Sequence, residues 1–344
     1  MEKWLYLKGC AGLGNRLITL LKAIQYAKKT GRTLFIDWSD GMFAESGINS
    51  FYKYFELKNI DYVNSSKDIE LILSKDGTLY PKGITLKELS EGIYDNFWHV
   101  GTWFSWHLAP YRVIVTLLLK GKMTSVFGLQ SWQHKSDNRS SWWGNIKRVY
   151  QERNIQLGAQ LSKRINRDVV VFVDFRPLVD TSQIFDYVSL KEVYYLKFKE
   201  FAQIRDLVNH GIGVHIRATD KQPKKKLEKL LKLLDGMLSA DDNMKIFLST
   251  DNLQLTKQMQ ERFCDRIVMY PKFLPEDLNG KGIHHWALEH NIPNIKERMF
   301  EESLADMWIL SMCKHLFWQG NSSFSLMSSI LKKDKENVIN WLKL

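Results

Sequence analysis

The sequence is poor in cysteine and in long apolar runs. Its three cysteines, Cys10, Cys264 and Cys313, are scattered and odd in number. This spacing predicts neither a disulfide framework nor a zinc site, and it fits a reducing compartment best.

The first ten residues lack the charged and then apolar order of a signal peptide. The most apolar stretch, 113–119, is far shorter than the ~20 residues that cross a bilayer. We therefore expect a cytoplasmic protein.

The sequence also lacks a concentrated basic block and a nucleic-acid-binding motif. Its net charge is +11, but the 49 lysines and arginines are spread along the chain. The densest run, 221–232, leads into an amphipathic pattern and is typical of a solvated helix face. A positive field attracts anions of many kinds. Phosphate-bearing substrates and anionic membrane surfaces are therefore candidate partners, and nucleic acid is not expected.

What the sequence does contain is a repeated alternation of strands and helices. Residues 4–7, 17–27 and 33–37 predict a strand, a helix and a second strand, which make one βαβ unit. Residues 169–175 are continuous and β-branched, as in a buried parallel strand. A second series starts near residue 200. Its predicted strands are 211–217, 245–250, 267–270 and 316–319, and its predicted helices are 227–238, 254–263, 300–313 and 325–331.

This repetition predicts an α/β fold of two Rossmann-like domains that face each other across a cleft. The first domain is placed at residues 1–195, with an irregular insertion between 40 and 160. The second, at 196–331, is expected to bind the nucleotide part of a substrate. The tail at 332–344 is expected to be able to return to the first domain.

A glycine-rich turn separates the first predicted strand from the first predicted helix. It contains Gly9, Gly12 and Gly14, followed by Asn15 and Arg16. Glycines let a backbone turn tightly and approach a ligand, while helix N–H groups and an arginine favour an anion. The spacing matches neither the dinucleotide fingerprint nor a P-loop. A plain structural turn is the alternative interpretation.

A second polar cluster ends the predicted strand at 211–217. His215 and Arg217 project to the same side because side chains alternate along a strand, and Asp220 and Lys221 follow. The carboxyl end of a parallel strand is where ligands bind in open α/β sheets. The permanently charged, forked guanidinium of Arg217 suits a diphosphate. For His215 alone, a buried core histidine is the alternative.

A third cluster, from Gly320 to Ser325, again lies between a strand and a helix. Ser322 and Ser323 stand where the helix is expected to begin. Hydroxyls and free N–H groups at such a position hold a phosphate or cap the helix. The sequence leaves both roles open.

The order of these motifs resembles that of a known family, the α1,6-fucosyltransferase and nodulation-fucosyltransferase group. A more distant similarity is to the α1,2- and protein O-fucosyltransferases. The resemblance covers the first ~40 residues and most of 205–331, and its most specific part is His-Ile-Arg-Ala-Thr-Asp-Lys. The matching segments are Gly-Leu-Gly-Asn-Arg-Leu at 12–17, Tyr-Ala-Lys-Lys-Thr-Gly-Arg-Thr-Leu at 26–34, His-Ile-Arg-Ala-Thr-Asp-Lys at 215–221, Leu-Ser-Thr-Asp at 248–251 and Ser-Ser-Phe-Ser at 322–325.

The resemblance implies a GT-B type fold and a metal-independent, inverting transfer of fucose from GDP-fucose, with no cofactor. It implies that Arg217 holds the diphosphate, that His215 and Asp251 lie near guanine, and that Ser322 and Ser323 contact phosphate. From the other domain, the glycine turn would lie against the donor. The residues implied there are Gly12, Gly14, Asn15 and Arg16.

The chemistry requires a base for the acceptor hydroxyl and positive charge for the departing diphosphate. Without an Asp-x-Asp metal motif, Arg217 and helix N-termini are expected to supply that charge. The α1,6-enzymes have two adjacent arginines where this chain has Arg217 and Ala218. The stretch that carries their acidic catalytic residue is lysine-rich here. The candidates for the base are Asp220, Glu228, Asp37 and Asp40.

Other functions fit the same sequence. One is a glycosyltransferase of the same fold that uses another GDP- or UDP-sugar. Others are a GDP-binding module without catalysis and a basic protein that binds polyanions or membranes. For the acceptor we expect a cytoplasmic oligosaccharide or lipid-linked glycan, as in bacterial surface-polysaccharide assembly. The +11 charge suits peripheral contact with an anionic inner membrane.

Overall fold

The structure is a computed structural model, and it describes about two thirds of the chain. The described residues are 3–9, 11–45, 47–64, 74, 79–80, 164–172, 179–201, 203–218, 224–276, 286, 290 and 292–344.

Within the described part of the chain, five parallel strands form the first sheet, in the order β4-β2-β1-β6-β5. They are β1 (Trp4–Lys8), β2 (Thr33–Asp37), β4 (Tyr62–Val63), β5 (Leu79–Tyr80) and β6 (Val169–Phe172). Between β2 and β4 in the chain, β3 (Phe55–Leu57) pairs antiparallel with β7 (Val188–Leu190). Every residue of β1 is buried, as expected for a central parallel strand with both faces covered.

A second five-stranded parallel sheet lies in the C-terminal half, in the order β10-β9-β8-β11-β12. Its strands are β8 (Gly211–Ile216), β9 (Lys245–Thr250), β10 (Ile267–Val268), β11 (His315–Trp318) and β12 (Val338–Asn340). The chain builds this sheet outward from β8, first on one side and then on the other. The side on which the chain adds successive strands therefore changes between β8 and β11. The connections after these two strands leave on opposite faces of the sheet, which makes a crevice at their carboxyl ends.

The helices connect the strands of both sheets. They are α1 (Leu13–Thr30), α2 (Ser50–Tyr54), α3 (Ile184–Tyr187), α4 (Glu192–Lys199), α5 (Ile204–His210), α6 (Lys224–Ala240), α7 (Leu253–Phe263), α8 (Ile295–Met312) and α9 (Ser323–Leu331), with 3-10 turns at Cys264–Arg266 and Trp341–Lys343. Gly31 ends α1 in the left-handed region, with φ of 64°, where glycine carries no Cβ penalty. Among the helices of the described residues, none is long and apolar enough to cross a membrane.

Aromatic side chains join the two halves into one continuous core. The rings of Phe43 and Phe300 stack with centroids 4.2 Å apart, and Tyr54 packs edge-on against Phe300 at 5.0 Å. Lys53 donates to the Glu297 carboxylate at 2.6 Å beside them. Because Phe300 and Glu297 belong to α8, that helix holds the first half against the second.

The C-terminal tail lies in a different place from the one expected. Residues 338–340 form β12, which pairs in parallel with β11 as the outer strand of the second sheet. The Trp341 side chain is completely buried and donates its Nε1–H to the backbone carbonyl of His215 at 3.0 Å. The tail therefore completes the second sheet, because an apolar strand and a buried tryptophan cover the edge of β11. The boundary predicted between residues 195 and 196 falls inside α4.

Candidate functional site

The crevice between β8 and β11 brings two of the three polar motifs together. Arg217 follows β8 directly, and Gln319 follows β11 directly. The Arg217 backbone N–H donates to Oε1 of Gln319 at 2.8 Å. The side chain of Arg217 is half-buried at the mouth of this crevice. A permanently charged group is thus placed where open α/β sheets bind their ligands.

Gln319 is the residue that fixes these two loops relative to each other. It is completely buried, and Nε2 of its side chain donates to Oδ1 of Asn321 at 2.9 Å. Its backbone N–H donates to Oγ of Ser325 at 3.1 Å. Sequence reasoning missed Gln319. The available signal was a glutamine directly after an apolar strand, since a buried amide must find hydrogen-bond partners there.

The serine motif forms the N-terminus of α9, as predicted. Ser322 occupies the N-cap position and is 1% exposed, but its side chain does not cap the helix. Its Oγ has no hydrogen-bond partner among the described residues. An unpartnered buried hydroxyl costs about 1–3 kcal/mol, and the positive end of a helix favours an anion. The geometry therefore does not support the helix-capping role for Ser322. An anion bound at this end of the helix would offset the free-energy cost of the unpartnered hydroxyl. Ser323 is half-buried next to it.

His215 and Asp251 lie at the carboxyl ends of adjacent strands. Oδ1 of Asp251 accepts the backbone N–H of Ala218 at 2.9 Å, which ties the end of β9 to the residue after Arg217. His215 is 6% exposed, and its ring lies 5.1 Å from the ring of Phe324 in α9. The structure thus brings both residues to the same crevice as Arg217 and the α9 N-terminus.

The glycine turn of the first half lies against the same helix end. An ideal Cβ built on Gly14 would come within 2.4 Å of the backbone carbonyl of Ser323. Only a residue without a side chain allows α1 and α9 to approach this closely. Gly12 is the N-cap residue of α1, and Asn15, one residue beyond Gly14, is half-buried. The first and third motifs therefore meet directly, although Gly14 and Ser323 are 309 positions apart in the sequence.

Arg16 is held inside the first half. Its guanidinium forms an ion pair with Asp40, and its Nε donates to the Ala11 carbonyl at 2.7 Å. It lies over the ring of Phe43 at 4.7 Å, and its exposure is 1%. Only Nη1 lacks a hydrogen-bond partner among the described residues. These contacts make Arg16 the anchor of the glycine turn, and a direct contact with a donor stays a prediction.

The four candidate bases have different surroundings. Asp37 and Asp40 are both engaged, because Asp40 pairs with Arg16, and Asp37 accepts from Lys8 at 2.8 Å and from Tyr6 at 2.6 Å. Glu228 is an exposed side chain of α6. Asp220 lies outside the described residues. Among the described candidates, Glu228 is therefore the carboxylate most open to solvent.

Asp37 is held in its charged form. Burial on its own raises the pKa of Asp37, but the Lys8 ammonium and hydrogen bonds from Lys8, Ser39 and Tyr6 outweigh it, and the pKa is lowered. The charged form is thus more stable in the folded protein than in the unfolded chain. Such a carboxylate is a poor proton acceptor at neutral pH, which argues against Asp37 as the base.

Asp37→Asn tests this assignment. We expect a loss of about 3 kcal/mol of unfolding free energy at pH 7, because the charge beside a buried ammonium is removed. The Asp37 contribution is present above its unfolded pKa of 3.8 and is lost as the pH falls through the lower folded pKa. Urea unfolding of both proteins from pH 7 to pH 2.5 measures the difference. If the difference in unfolding free energy between the wild type and Asp37→Asn stays constant down to pH 2.5, the assignment is contradicted.

Another buried ion pair lies under the end of β9. Oδ2 of Asp306 accepts from Ser249 at 2.8 Å and from Lys272 at 2.6 Å. Both side chains of the ion pair are only 7% exposed. Burial raises the pKa of Asp306, and the Lys272 charge and hydrogen bond act against that rise. This contact joins α8 to β9, the strand that Asp251 directly follows.

An open cavity of about 610 Å³ lies to one side, beside α8. Four of its charged side chains are paired with each other, Lys197 with Glu301 and Arg298 with Glu302. None of the predicted donor-binding residues lines this cavity. The predicted residues that follow β8 and β9 instead lie at the carboxyl edge of the second sheet, next to the crevice between β8 and β11. Within the described ranges, no group of three or more His, Cys, Asp or Glu side chains is placed to hold a metal ion.

Comparison with known proteins identifies the fold. No protein-family model and no curated sequence matches the chain. A structure of NodZ α1,6-fucosyltransferase soaked with GDP-fucose matches with a TM-score of 0.60 and 18% identity, over 96% of this chain and 93% of that chain. The chain has the fold of the NodZ fucosyltransferases. Fucosyltransferase NodZ from Bradyrhizobium matches with a TM-score of 0.58 and 16% identity, over 96% and 94% of the two chains.

A third match is NodZ co-crystallized with GDP, with a TM-score of 0.57 and 16% identity over 95% of this chain and 92% of that chain. The predicted α/β architecture of two Rossmann-like domains, the GT-B type, is thereby confirmed. The resemblance drawn from the motifs is confirmed as a likeness of fold. It extends over 96% of the chain, whereas the matching motifs lie in the first 34 residues and in 215–325.

Proposed function

We propose that this chain is a glycosyltransferase that moves fucose from GDP-fucose to a hydroxyl group of a glycan. The observation that carries the proposal is that Gln319 joins the residue after β8, Arg217, to the turn that leads into α9 at the β8–β11 crevice. Gln319 fixes the two loops through its bond to the Arg217 N–H at 2.8 Å, and the Ser322 hydroxyl has no partner there among the described residues. A fold shared with a protein that has been soaked with GDP-fucose supports this choice of donor.

In this proposal, positive charge at the crevice holds and then stabilises the leaving diphosphate. The Arg217 guanidinium donates to phosphate oxygens in a forked arrangement, and the first N–H groups of α9 point at the same anion. Ser322 and Ser323 add hydroxyl donors. These groups act at the place where negative charge grows in the transition state, so transfer needs no metal ion.

The remaining site residues take supporting roles. His215 and Asp251 lie near the guanine, and Gly12, Gly14, Asn15 and Arg16 form the wall that the first half contributes. The acceptor hydroxyl loses its proton to Asp220 or to Glu228 as it attacks the sugar from the face opposite the diphosphate. A single displacement of this kind inverts the anomeric centre.

The acceptor and its location are also part of the proposal. A glycan or lipid-linked oligosaccharide in surface-polysaccharide assembly fits a cytoplasmic enzyme, and the +11 charge suits contact with an anionic membrane. Another GDP- or UDP-sugar donor is the second candidate function. It is supported by Ala218, which stands where the α1,6-enzymes have an arginine.

A panel of nucleotide sugars tests the donor. The protein is incubated in EDTA with GDP-fucose, GDP-mannose, UDP-galactose and UDP-glucose, and the released nucleotide is measured by chromatography. We expect GDP release from GDP-fucose, with water as the acceptor, and fucose that first appears as the anomer opposite to that of the donor. Release from a UDP-sugar alone would support the second candidate. Release only after Mg²⁺ is added would contradict the metal-independent mechanism.

A further inference from the structure

The outer strand β12 runs beside the site without forming part of the crevice. Its register with β11 pairs Trp318 with Asn340. Trp318 is the residue before Gln319, so Asn340 lies at the level of the turn that leads into α9. The side chain of Asn340 is half-buried, and the next residue, Trp341, is completely buried.

Asn340 binds the peptide that begins the serine motif. Its Oδ1 accepts the backbone N–H of Gly320 at 3.1 Å and that of Leu342 at 3.2 Å. An ideal Cβ built on Gly320 would lie 2.2 Å from Nδ2 of Asn340. Gly320 thus packs directly against the amide group. This contact fixes the start of the turn that contains Asn321 and Ser322.

Trp341 reaches the other wall of the site. Its Nε1–H donates to the His215 carbonyl at 3.0 Å, and its ring packs in the cluster of apolar residues beneath β8. The β8 strand is two positions from β12 in the sheet. One short segment therefore holds both the turn before α9 and the end of the strand that leads to Arg217.

The same segment also contacts α6. Lys226 of α6 donates to the carbonyl oxygen of Leu344. This helix carries Glu228, so three elements with candidate site residues are joined through residues 340–344.

We propose that Asn340 and Trp341 are positioning residues of the donor site. They set the distance between the Arg217 side of the crevice and the α9 side, and so determine how tightly a nucleoside diphosphate is held. This inference rests on the proposed function, because it takes the crevice to be the diphosphate site. Neither residue touches the ligand. Asn340 acts through Gly320, and Trp341 acts through His215.

Isosteric variants of Asn340 test the proposal by calorimetric titration with GDP. Asn340→Leu removes the acceptor while keeping the size of the side chain, and we expect GDP binding to weaken roughly tenfold, since two hydrogen bonds of ordinary strength are lost. Asn340→Asp keeps Oδ1 as an acceptor but adds a negative charge near the proposed anion site, so at an ionic strength of about 0.5 M, which screens that charge, it is expected to bind GDP more tightly than Asn340→Leu. Asn243→Leu, in the exposed turn at the opposite end of β9, is the matched control and should bind GDP as the wild type does.

A second pair of measurements separates positioning from general stability. Trp341→Phe keeps an aromatic ring in the core but removes the N–H together with one of the two fused rings of the indole, and we expect several-fold weaker GDP binding with cooperative unfolding retained. Gly320→Ala displaces the side-chain amide of Asn340. The losses of GDP affinity caused by Gly320→Ala and by Asn340→Leu should therefore be less than additive in the double variant.

Each result supports or overturns a different statement. If Asn340→Leu and Trp341→Phe are folded and bind GDP as tightly as the wild type, the positioning role is wrong while the proposed function stands. If Asn340→Asp loses as much affinity as Asn340→Leu, the acceptor oxygen is not what matters and the inference is also wrong. If the wild type itself binds no GDP, the proposed function fails first and the positioning role fails with it.

Discussion

Arg217→Ala is expected to weaken GDP binding by about 30- to 700-fold, which corresponds to roughly 2–4 kcal/mol for the loss of a charged partner of a phosphate. Arg217 is half-buried and directly follows β8, and its backbone N–H donates to Oε1 of Gln319 at 2.8 Å. Isothermal titration calorimetry in EDTA measures the change. Arg217→Lys keeps the charge but loses the forked geometry, so its affinity for GDP should fall between those of the wild type and Arg217→Ala.

A matched control for this prediction is Arg262→Ala. Arg262 forms an exposed ion pair with Asp235 at the C-terminal end of α7, away from the carboxyl edge of the sheet. Its removal changes the net charge by the same amount as Arg217→Ala does, and exposed pairs contribute about 0–1 kcal/mol. GDP affinity should stay unchanged. If both variants lose affinity equally, the effect is one of overall charge and the β8–β11 site is wrong.

Gly14→Ala is expected to give the second large effect, on stability. The new methyl group would lie 2.4 Å from the Ser323 backbone, so α1 and α9 would have to move apart. Overpacking against backbone costs about 1–3 kcal/mol or more, and we expect the upper part of this range because no flexible side chain can give way. Urea unfolding monitored by circular dichroism measures the loss.

The control for Gly14→Ala is the same substitution at Gly236 in α6. No atom lies within 4 Å of the position where its Cβ would stand. Glycine in the interior of a helix is less favourable than alanine by about 0.5–1 kcal/mol, so Gly236→Ala should stabilise the protein. The two variants should therefore shift the unfolding midpoint in opposite directions. Equal shifts would contradict the close contact between α1 and α9.

The fold and the three motifs could be predicted from the sequence because both depend on local patterns. Periodicity located β1, β2, β8, β9 and β11 to within a few residues. The strand-and-helix rhythm then predicted two parallel sheets. It also placed Arg217 and Ser322 at loops after strands, and the structure brings these loops together at one crevice.

Other features could not be predicted because they depend on contacts between distant parts of the chain. Gln319 and Asn340 have no local signal beyond being polar residues at strand ends, and their partners are fixed only when β8, β11 and β12 assemble. Asp37 was a plausible base by position, and only the contacts with Lys8 and Tyr6 show that it is engaged. The general base stays a prediction for Asp220, which lies outside the described residues, and for Glu228.

A titration of the wild-type protein with GDP in the presence of EDTA tests the central claim most directly. The account predicts metal-independent binding in the micromolar range, with a Kd at least tenfold higher for UDP. Binding of UDP in preference to GDP would keep a glycosyltransferase site in the β8–β11 crevice but would reject fucose from GDP-fucose as the transferred group. Absence of binding by either nucleotide would contradict the account, and would favour a basic protein that binds polyanions or membranes.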